Sequence, residues 1–204
     1  MIAIVDYGLG NIKAFANVYE RLNIKISIAH NAADIKNATK LVLPGVGAFD
    51  YAMSQLNKSG MREALEEKVL EHHTPVIGIC VGMQMMAKSS DEGKLPGLGW
   101  FDAAVKLFDT EKIPYKTRLP HMGWNTIKLA GQNRLLEQLD DESRFYFLHS
   151  YYFSCNQQQD IIAKTDYGIE YASAVNKGNI FGIQFHPEKS HQNGIQLLHN
   201  FAKL

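Results

Sequence analysis

Pro75-Val76-Ile77-Gly78-Ile79-Cys80-Val81-Gly82 is a short apolar run that ends in a cysteine flanked by glycines. The next residues, Met83-Gln84-Met85-Met86-Ala87, are compatible with a helix. The sequence predicts a strand, a tight turn and a helix, with the thiol at the turn, facing the positive end of the helix. A Cβ at position 78 or 82 would obstruct so close a turn. We interpret Cys80 as a nucleophile; the alternative is a buried structural cysteine.

Strands alternate with helices in the first half of the chain, which predicts an α/β fold: a parallel sheet with helices on both faces and sites at the carboxyl ends of the strands. After Trp100 the extended runs follow one another closely, so we expect a mixed or antiparallel extension of the same sheet. With no linker or repeat, residues 1–204 form one predicted domain. The predicted strands are 2–6, 24–29, 40–43, 75–79, 103–108, 124–129, 145–153, 160–166, 171–176 and 180–185, and the predicted helices are 11–22, 61–70 and 195–202.

Composition excludes several classes of protein. The 204 residues are 46% hydrophobic with a formal net charge of zero, and no basic stripe is available to neutralise nucleic-acid phosphates. No apolar stretch approaches the roughly 20 residues that span a bilayer, and residues 1–5 lack the basic flank of a signal peptide. Two cysteines do not make a disulfide framework. We therefore expect a cytoplasmic protein in a reducing compartment, without membrane or nucleic-acid partners.

A base for the thiol occurs in Gly182-Ile183-Gln184-Phe185-His186-Pro187-Glu188. Period-2 alternation at the end of a strand would place His186 and Glu188 on one face, and Pro187 would end the sheet there. A thiol needs a base, and an imidazole needs a carboxylate to fix its tautomer. Cys80, His186 and Glu188 are thus predicted to form a catalytic triad.

The glycine-rich loop Pro44-Gly45-Val46-Gly47 follows the third strand. It lacks the lysine and hydroxyl residue of a P-loop and the third glycine of a dinucleotide fingerprint. A tetrahedral intermediate on Cys80 needs two N–H donors, and the turn itself supplies that of Val81. We expect the second donor at Val46, where Gly47 allows the peptide to rotate; the alternative is an ordinary turn.

Two further polar residues downstream of Cys80 could orient a substrate at the sulfur. Gln84 lies one helical turn after Cys80 and faces the same way. Glu92 has the charge that an α-ammonium group requires. The alternatives are a surface amide and a solvated acidic turn.

Gly78-Ile-Cys-Val-Gly-Met-Gln84 together with Phe185-His-Pro-Glu188 resembles the triad (class I) glutamine amidotransferases, and the resemblance covers essentially the whole chain. It implies a flavodoxin-like, three-layer α/β fold with a mostly parallel mixed sheet, and release of ammonia from L-glutamine without a cofactor or metal. It also implies that Gly45, Gln84, Glu92 and the backbone around His149, Ser150 and Tyr151 contact glutamine. Val81 departs from the usual leucine, but only its backbone amide would be used.

Three segments resemble one branch of this family, a glutaminase subunit that delivers ammonia through a tunnel to a (βα)8 cyclase subunit in histidine biosynthesis. They are Pro44–Phe49, Pro120–Asn125 and Leu148–Tyr152. The resemblance implies a heterodimer with that barrel. The predicted interface consists of Asn11, Met122, Trp124 and Lys189; packing of Trp124 in the core is the alternative.

Other functions remain open at this stage. The same glutaminase chemistry can serve a paralogous partner that aminates a sugar of a surface polysaccharide. A non-catalytic docking subunit is a second alternative, and the intact Cys80, His186 and Glu188 count against it. A general cysteine hydrolase is a third, and the sequence lacks an independent substrate-pocket motif for it.

Overall fold

The computed structural model describes residues 1–116 and 118–204. None of the helices in these two ranges is long and apolar enough to cross a membrane. The α-helices are α1 Ile12–Arg21, α2 Ala32–Lys36, α3 Phe49–Lys58, α4 Arg62–Glu66, α5 Val81–Gln84 and α6 His191–Lys203, and a π-helical turn, Glu67–Glu71, continues α4. The strands are β1 Ile2–Val5, β2 Ile26–Ala29, β3 Lys40–Gly45, β4 Val76–Cys80, β5 Ser89–Ser90, β6 Ala103–Leu107, β7 His121–Thr126, β8 Lys128–Leu129, β9 Arg144–His149, β10 Tyr151–Cys155, β11 Ile161–Asp166, β12 Glu170–Lys177 and β13 Ile180–Ile183.

The main sheet has the strand order β2-β1-β3-β4-β13-β12-β10-β6-β5, with β11 on β12 and β8 on β11. Neighbours from β2 to β13 run parallel, whereas β12 and β10 pair antiparallel with their neighbours. Every residue of β1, β4 and β13 is buried. Apolar strands covered on both sides are typical of a parallel sheet between helical layers. The predicted α/β fold is confirmed.

The path of the chain places helices on both sides of the sheet. From β1 the chain passes through α1 to β2 at the edge, and then through α2 back across β1 to β3. Because crossovers between parallel strands are right-handed, a reversal of direction puts α1 and α2 on opposite faces. In agreement, α1 contacts α6, whereas α2 contacts α4.

The second half of the chain departs from the predicted single sheet. β7 and β9 form a separate two-stranded antiparallel sheet, the β7–β9 sheet, in which His121 is opposite His149. The run 145–153, predicted as one strand, is divided at Ser150 into β9 and β10, and β10 pairs with β6 and β12 instead. The prediction was wrong here because the apolar run Phe145–Phe153 contains no residue that signals a break. Helix α3, absent from the prediction, buries its apolar positions Phe49, Ala52, Met53 and Leu56.

Close packing around α5 explains the glycines on either side of Cys80, Gly78 and Gly82. A Cβ on Gly78 would lie 2.7 Å from the carbonyl oxygen of Gly82, and a Cβ on Gly82 would collide with the carbonyl oxygen of Leu43. Strands β3 and β4 can therefore approach α5 only with glycine at both positions. The prediction that a Cβ cannot be accommodated there is confirmed.

Candidate active site

Cys80 lies at the sharp turn between β4 and α5. Its backbone has φ 55° and ψ −113°, a left-handed conformation that non-glycine residues rarely adopt. Such strain costs on the order of 1–3 kcal/mol and is typical of functional turns. The helix that follows has only four residues, so its dipole is small and activation of the thiol depends on a base. The turn thus presents Cys80 for chemistry but does not by itself make it reactive.

His186 and Glu188 form the rest of the predicted triad. The Nδ1 atom of His186 lies 3.0 Å from Oε1 of Glu188, and the two side chains are only 6% and 1% exposed. The two residues do not share a strand face, because β13 ends at Ile183 and Pro187–Lys189 form a 3-10 turn. Ser190 stabilises that turn by donating its hydroxyl to the His186 carbonyl. The contact between His186 and Glu188 was predicted, but the strand alternation from which it was predicted was wrong.

The environment of His186 favours its charged form. Burial alone would lower its pKa, but hydrogen bonds and charge interactions with the Cys80 sulfur and the Glu188 carboxylate outweigh burial and raise the pKa of His186 to about 10. At neutral pH the imidazole therefore holds a proton next to the sulfur. A cysteine beside an imidazolium is the arrangement that generates a nucleophilic thiolate.

A cavity of about 320 Å³ opens beside the sulfur, within the range of small-molecule sites. It brings together most residues predicted for the oxyanion and for glutamine. Gly47 has φ +86°, and within residues 1–116 and 118–204 no heavy atom beyond Gly47 and its two chain neighbours lies within 4 Å of the place its Cβ would occupy. The lining residues are Val46, Gly47, Cys80, Val81, Gln84, Glu92, Pro120, Leu148, His149, Ser150, Tyr151, His186 and Lys189.

Gln84 is buried at the cavity wall and its amide group is already engaged. Nε2 donates to the carbonyl oxygen of Tyr151 and to Oε1 of Gln184, both at 3.1 Å. Only the Oε1 atom of Gln84 is left to meet a ligand. Gln184, which sequence reasoning missed, is fully buried, and its Nε2 lies 3.8 Å from the Cys80 sulfur. The available signal was a polar residue between Ile183 and Phe185 in an apolar run.

Glu92 is more than a solvated turn residue. Its Oε2 accepts a hydrogen bond of 2.8 Å from the backbone N–H of Phe49, the first residue of α3. Because the loop Pro44–Gly47 leads into that helix, Glu92 ties the loop to the cavity wall. A carboxylate has two oxygens, so one remains for the ammonium group of a substrate.

Among the residues predicted to contact the substrate, His149 lines the cavity and Gly45 does not. The Cα of Gly45 faces Val81 and Gly82, where a Cβ would collide with backbone. The ring of His149 turns away to bind the Tyr151 carbonyl and the Tyr171 hydroxyl. Because both ring nitrogens of His149 are engaged, its predicted substrate contact is left to the backbone, as at Ser150 and Tyr151, which also line the cavity.

The residues predicted for a partner interface lie at the surface. Met122 is 60% and Trp124 39% exposed, and Asn11 and Lys189 are also exposed. Trp124 stacks on His191 with ring centroids 5.0 Å apart, and its exposure places it outside the core.

The fold and the cysteine–histidine–glutamate geometry define a site for amide transfer or hydrolysis through a thiol. The chain belongs to the class-I glutamine amidotransferase family, whose model matches residues 3–204. It is 53% identical over 206 residues to the imidazole glycerol phosphate synthase subunit HisH of Bdellovibrio bacteriovorus, and 49% identical over 204 residues to that of Leptospira interrogans, each match covering 100% of both chains. A crystal structure of a glutamine amidotransferase superposes with a TM-score of 0.76 at 16% identity, over 100% of this chain and 99% of that one, a likeness of fold alone.

Proposed function

We propose that the chain is the glutamine-hydrolysing subunit of imidazole glycerol phosphate synthase, working with a (βα)8 cyclase subunit in the cytoplasm. The observation that carries the glutaminase chemistry is the assembly of Cys80, His186 and Glu188 at a cavity lined by Gln84 and Glu92. Full-length identity of about half to two HisH subunits supports the choice of pathway.

In the proposed reaction the Cys80 thiolate attacks the side-chain carboxamide carbon of glutamine. The Val81 N–H and a second donor at Val46 hold the oxyanion. The tetrahedral intermediate collapses when His186 gives its proton to the leaving nitrogen, which departs as ammonia and leaves a γ-glutamyl thioester on Cys80. His186 then removes a proton from water, which attacks the thioester carbon. The intermediate collapses by expelling the Cys80 thiolate, which restores the thiolate–imidazolium pair, and the released glutamic acid loses its proton to solvent. Glu188 stabilises the imidazolium in both halves.

The outer face of the β7–β9 sheet supports a protein partner beside this cavity. Met122 and Leu148, opposite one another in the two strands, are 60% and 37% exposed. The backbone of Leu148 lines the cavity and its carbonyl oxygen lies 4.0 Å from the Cys80 sulfur. A partner docked on this face would receive ammonia before it reaches bulk water. We assign Asn11, Met122, Trp124 and Lys189 to this interface.

The experiment is to purify the chain with the barrel cyclase encoded in the same genome and to measure imidazole glycerol phosphate formation. We expect glutamine to support synthesis by the complex, and the barrel alone to require ammonium salts. A complex that forms but uses only ammonium would contradict the glutaminase assignment. Failure to bind that barrel, with glutamine-dependent amination of a sugar by another barrel, would identify the polysaccharide-linked function instead.

A further inference from the structure

A line of hydrogen-bonded polar groups runs from the inner face of the β7–β9 sheet to the catalytic cysteine. It consists of Asn125, His121, Tyr171, His149, Tyr151, Gln84 and Gln184. Its centre is Tyr171 on β12, which is 3% exposed. The Tyr171 hydroxyl oxygen lies 3.1 Å from Nδ1 of His121 and 3.1 Å from Nε2 of His149. Both histidines are themselves buried. One hydroxyl thus bridges two imidazoles in the interior of the protein.

The direction of every hydrogen bond in this line follows from its end at the Tyr151 carbonyl. The carbonyl oxygen can only accept, so Nδ1 of His149, at 2.8 Å, must carry a proton. Burial, and after it the nearby His121, lowers the pKa of His149 to about 3, so the ring is neutral and its Nε2 is an acceptor. Tyr171 therefore donates to His149, and its oxygen accepts from Nδ1–H of His121.

The same logic continues to the other end of the line. Burial lowers the pKa of His121 to about 4, so this ring is also neutral, and its Nε2 accepts from the Asn125 amide at 3.3 Å. Asn125 is oriented by two backbone contacts: its Nδ2 donates to the Asp166 carbonyl at 2.9 Å, and its Oδ1 accepts from the Thr126 N–H at 2.9 Å. All donors and acceptors agree with a single orientation of each group.

Beyond Tyr151 the line reaches the sulfur. The Tyr151 carbonyl accepts a second hydrogen bond from Nε2 of Gln84, whose other amide proton goes to Oε1 of Gln184. This contact fixes which way the Gln184 amide points, so that its Nε2 faces Cys80 at 3.8 Å. Displacement of the Tyr151 carbonyl would therefore alter the donor beside the reacting sulfur.

We propose that Tyr171 is a positioning residue for the glutaminase reaction: by bridging His121 and His149 it holds the two rings in place, and through the Tyr151 carbonyl and Gln84 it aims the Gln184 amide at the Cys80 sulfur. The proposal rests on the proposed glutaminase function. Tyr171→Phe keeps the ring, which packs edge-on against Phe108 with centroids 5.2 Å apart, and removes only the bridging hydroxyl. Tyr152→Phe is the matched control, because its ring packs on the same Phe108 at 4.9 Å but its hydroxyl is not part of the line.

The first measurement is the rate at which iodoacetamide alkylates Cys80 in the chain bound to its barrel. We expect Tyr171→Phe to lower this rate and kcat for glutamine by about tenfold, less than the loss of an oxyanion donor. Tyr152→Phe should stay within about twofold of wild type. Nitrogen chemical shifts should show that Nδ1 of His121 and Nε2 of His149 each lose a hydrogen-bond partner in Tyr171→Phe. Equal effects of the two variants, or unchanged nitrogen shifts and rates, would overturn the proposal.

A double-mutant cycle separates transmission through Gln184 from loss of packing. If Tyr171 acts through Gln184, then Tyr171→Phe in a Gln184→Met background should have little further effect on the alkylation rate. Additive losses would mean that Tyr171 acts by another route and would overturn the proposal. Because alkylation needs no glutamine, a chain that fails to hydrolyse glutamine but shows this coupling would refute the proposed function and leave the positioning network intact.

Discussion

At one end of the β7–β9 sheet the two faces reverse the usual distribution of side chains. On the inner face His121 and His149, opposite one another in the register, are buried and neutral; on the outer face the next pair, Met122 and Leu148, is exposed to solvent. Polar groups inside need fully paired hydrogen bonds, and apolar groups outside usually mark a contact surface. The difference indicates that the inner face serves the chemistry at Cys80 and the outer face serves a partner.

The largest effect is expected from a substitution that removes the reacting thiol and leaves both faces of the β7–β9 sheet unchanged. Cys80→Ala should reduce glutamine hydrolysis by at least ~10⁴-fold, because the thiol forms the covalent intermediate. A smaller side chain fits the turn, so the circular dichroism spectrum and binding of the barrel should be unchanged. Hydrolysis by the variant at near the wild-type rate would show that the nucleophile lies elsewhere.

The inner face should make the protein sensitive to acid. His121 and His149 have folded-state pKa values of about 4 and about 3, below the ordinary 6.5, so the unfolded chain binds more protons at pH 4–6.5. Stability should therefore fall as the pH drops through that window, by about 1.4 kcal/mol per pH unit for each histidine. Urea titrations at several pH values give the dependence of the free energy of unfolding on pH. In His121→Asn this pH dependence should be smaller by the contribution of about one proton. The same substitution at exposed His72 is the control, and an equal pH dependence for wild type and both variants would contradict this view.

A smaller loss of activity is expected when the loop Pro44–Gly47, the predicted source of the second oxyanion donor, is made less flexible. Gly47→Val forces a β-branched residue into φ +86° with open space around it, so the change acts on the backbone and not by collision. Barrel-stimulated glutamine turnover should fall about a hundredfold, the cost of one oxyanion donor. Gly60→Val, at φ +70° in similarly open space, should leave turnover unchanged. Unchanged stimulation in Gly47→Val would remove the loop from the mechanism.

The smallest effect concerns the outer face alone. Met122→Lys should weaken binding of the barrel by about tenfold, because a charge would be buried at the contact. Alkylation of Cys80 by iodoacetamide in the free chain should not change, since the side chain points away from His121. Leu70→Lys, an exposed leucine outside this sheet, provides the control in titration calorimetry. Equal affinities for all three proteins would place the interface elsewhere.

The sequence predicted the parts of the molecule that local chemistry specifies. Gly78, Cys80 and Gly82 imply a turn whatever surrounds them, and the alternation of strands and helices implies the parallel half of the sheet. Long-range pairing was harder to predict: nothing in residues 145–153 indicates that the run changes sheets at Ser150. His186 and Glu188 were identified together, but a 3-10 turn and not a strand brings them into contact.

The hydrogen-bond network around Tyr171 could not be predicted from the sequence for a related reason. Tyr171 lies in strand β12 and Gln184 directly follows β13, and their significance depends on neighbours 22 and 100 residues away in the sequence. Glu92 was predicted from its charge, whereas its contact with the Phe49 N–H follows from the position of α3, which the prediction lacked. Local patterns therefore identified the reacting groups, and tertiary structure was needed to find what orients them.

The most direct test of the central claim, that Cys80 is the activated nucleophile for glutamine, is peptide mapping after treatment with an electrophilic glutamine analogue. The second cysteine is a built-in control, because Cys155 is half-buried, donates to the Gln157 carbonyl at 3.4 Å, and has its pKa raised by burial. The account predicts stoichiometric label on Cys80, protection by excess glutamine, and none on Cys155. Label found mainly on Cys155, or equally on both thiols, would contradict it.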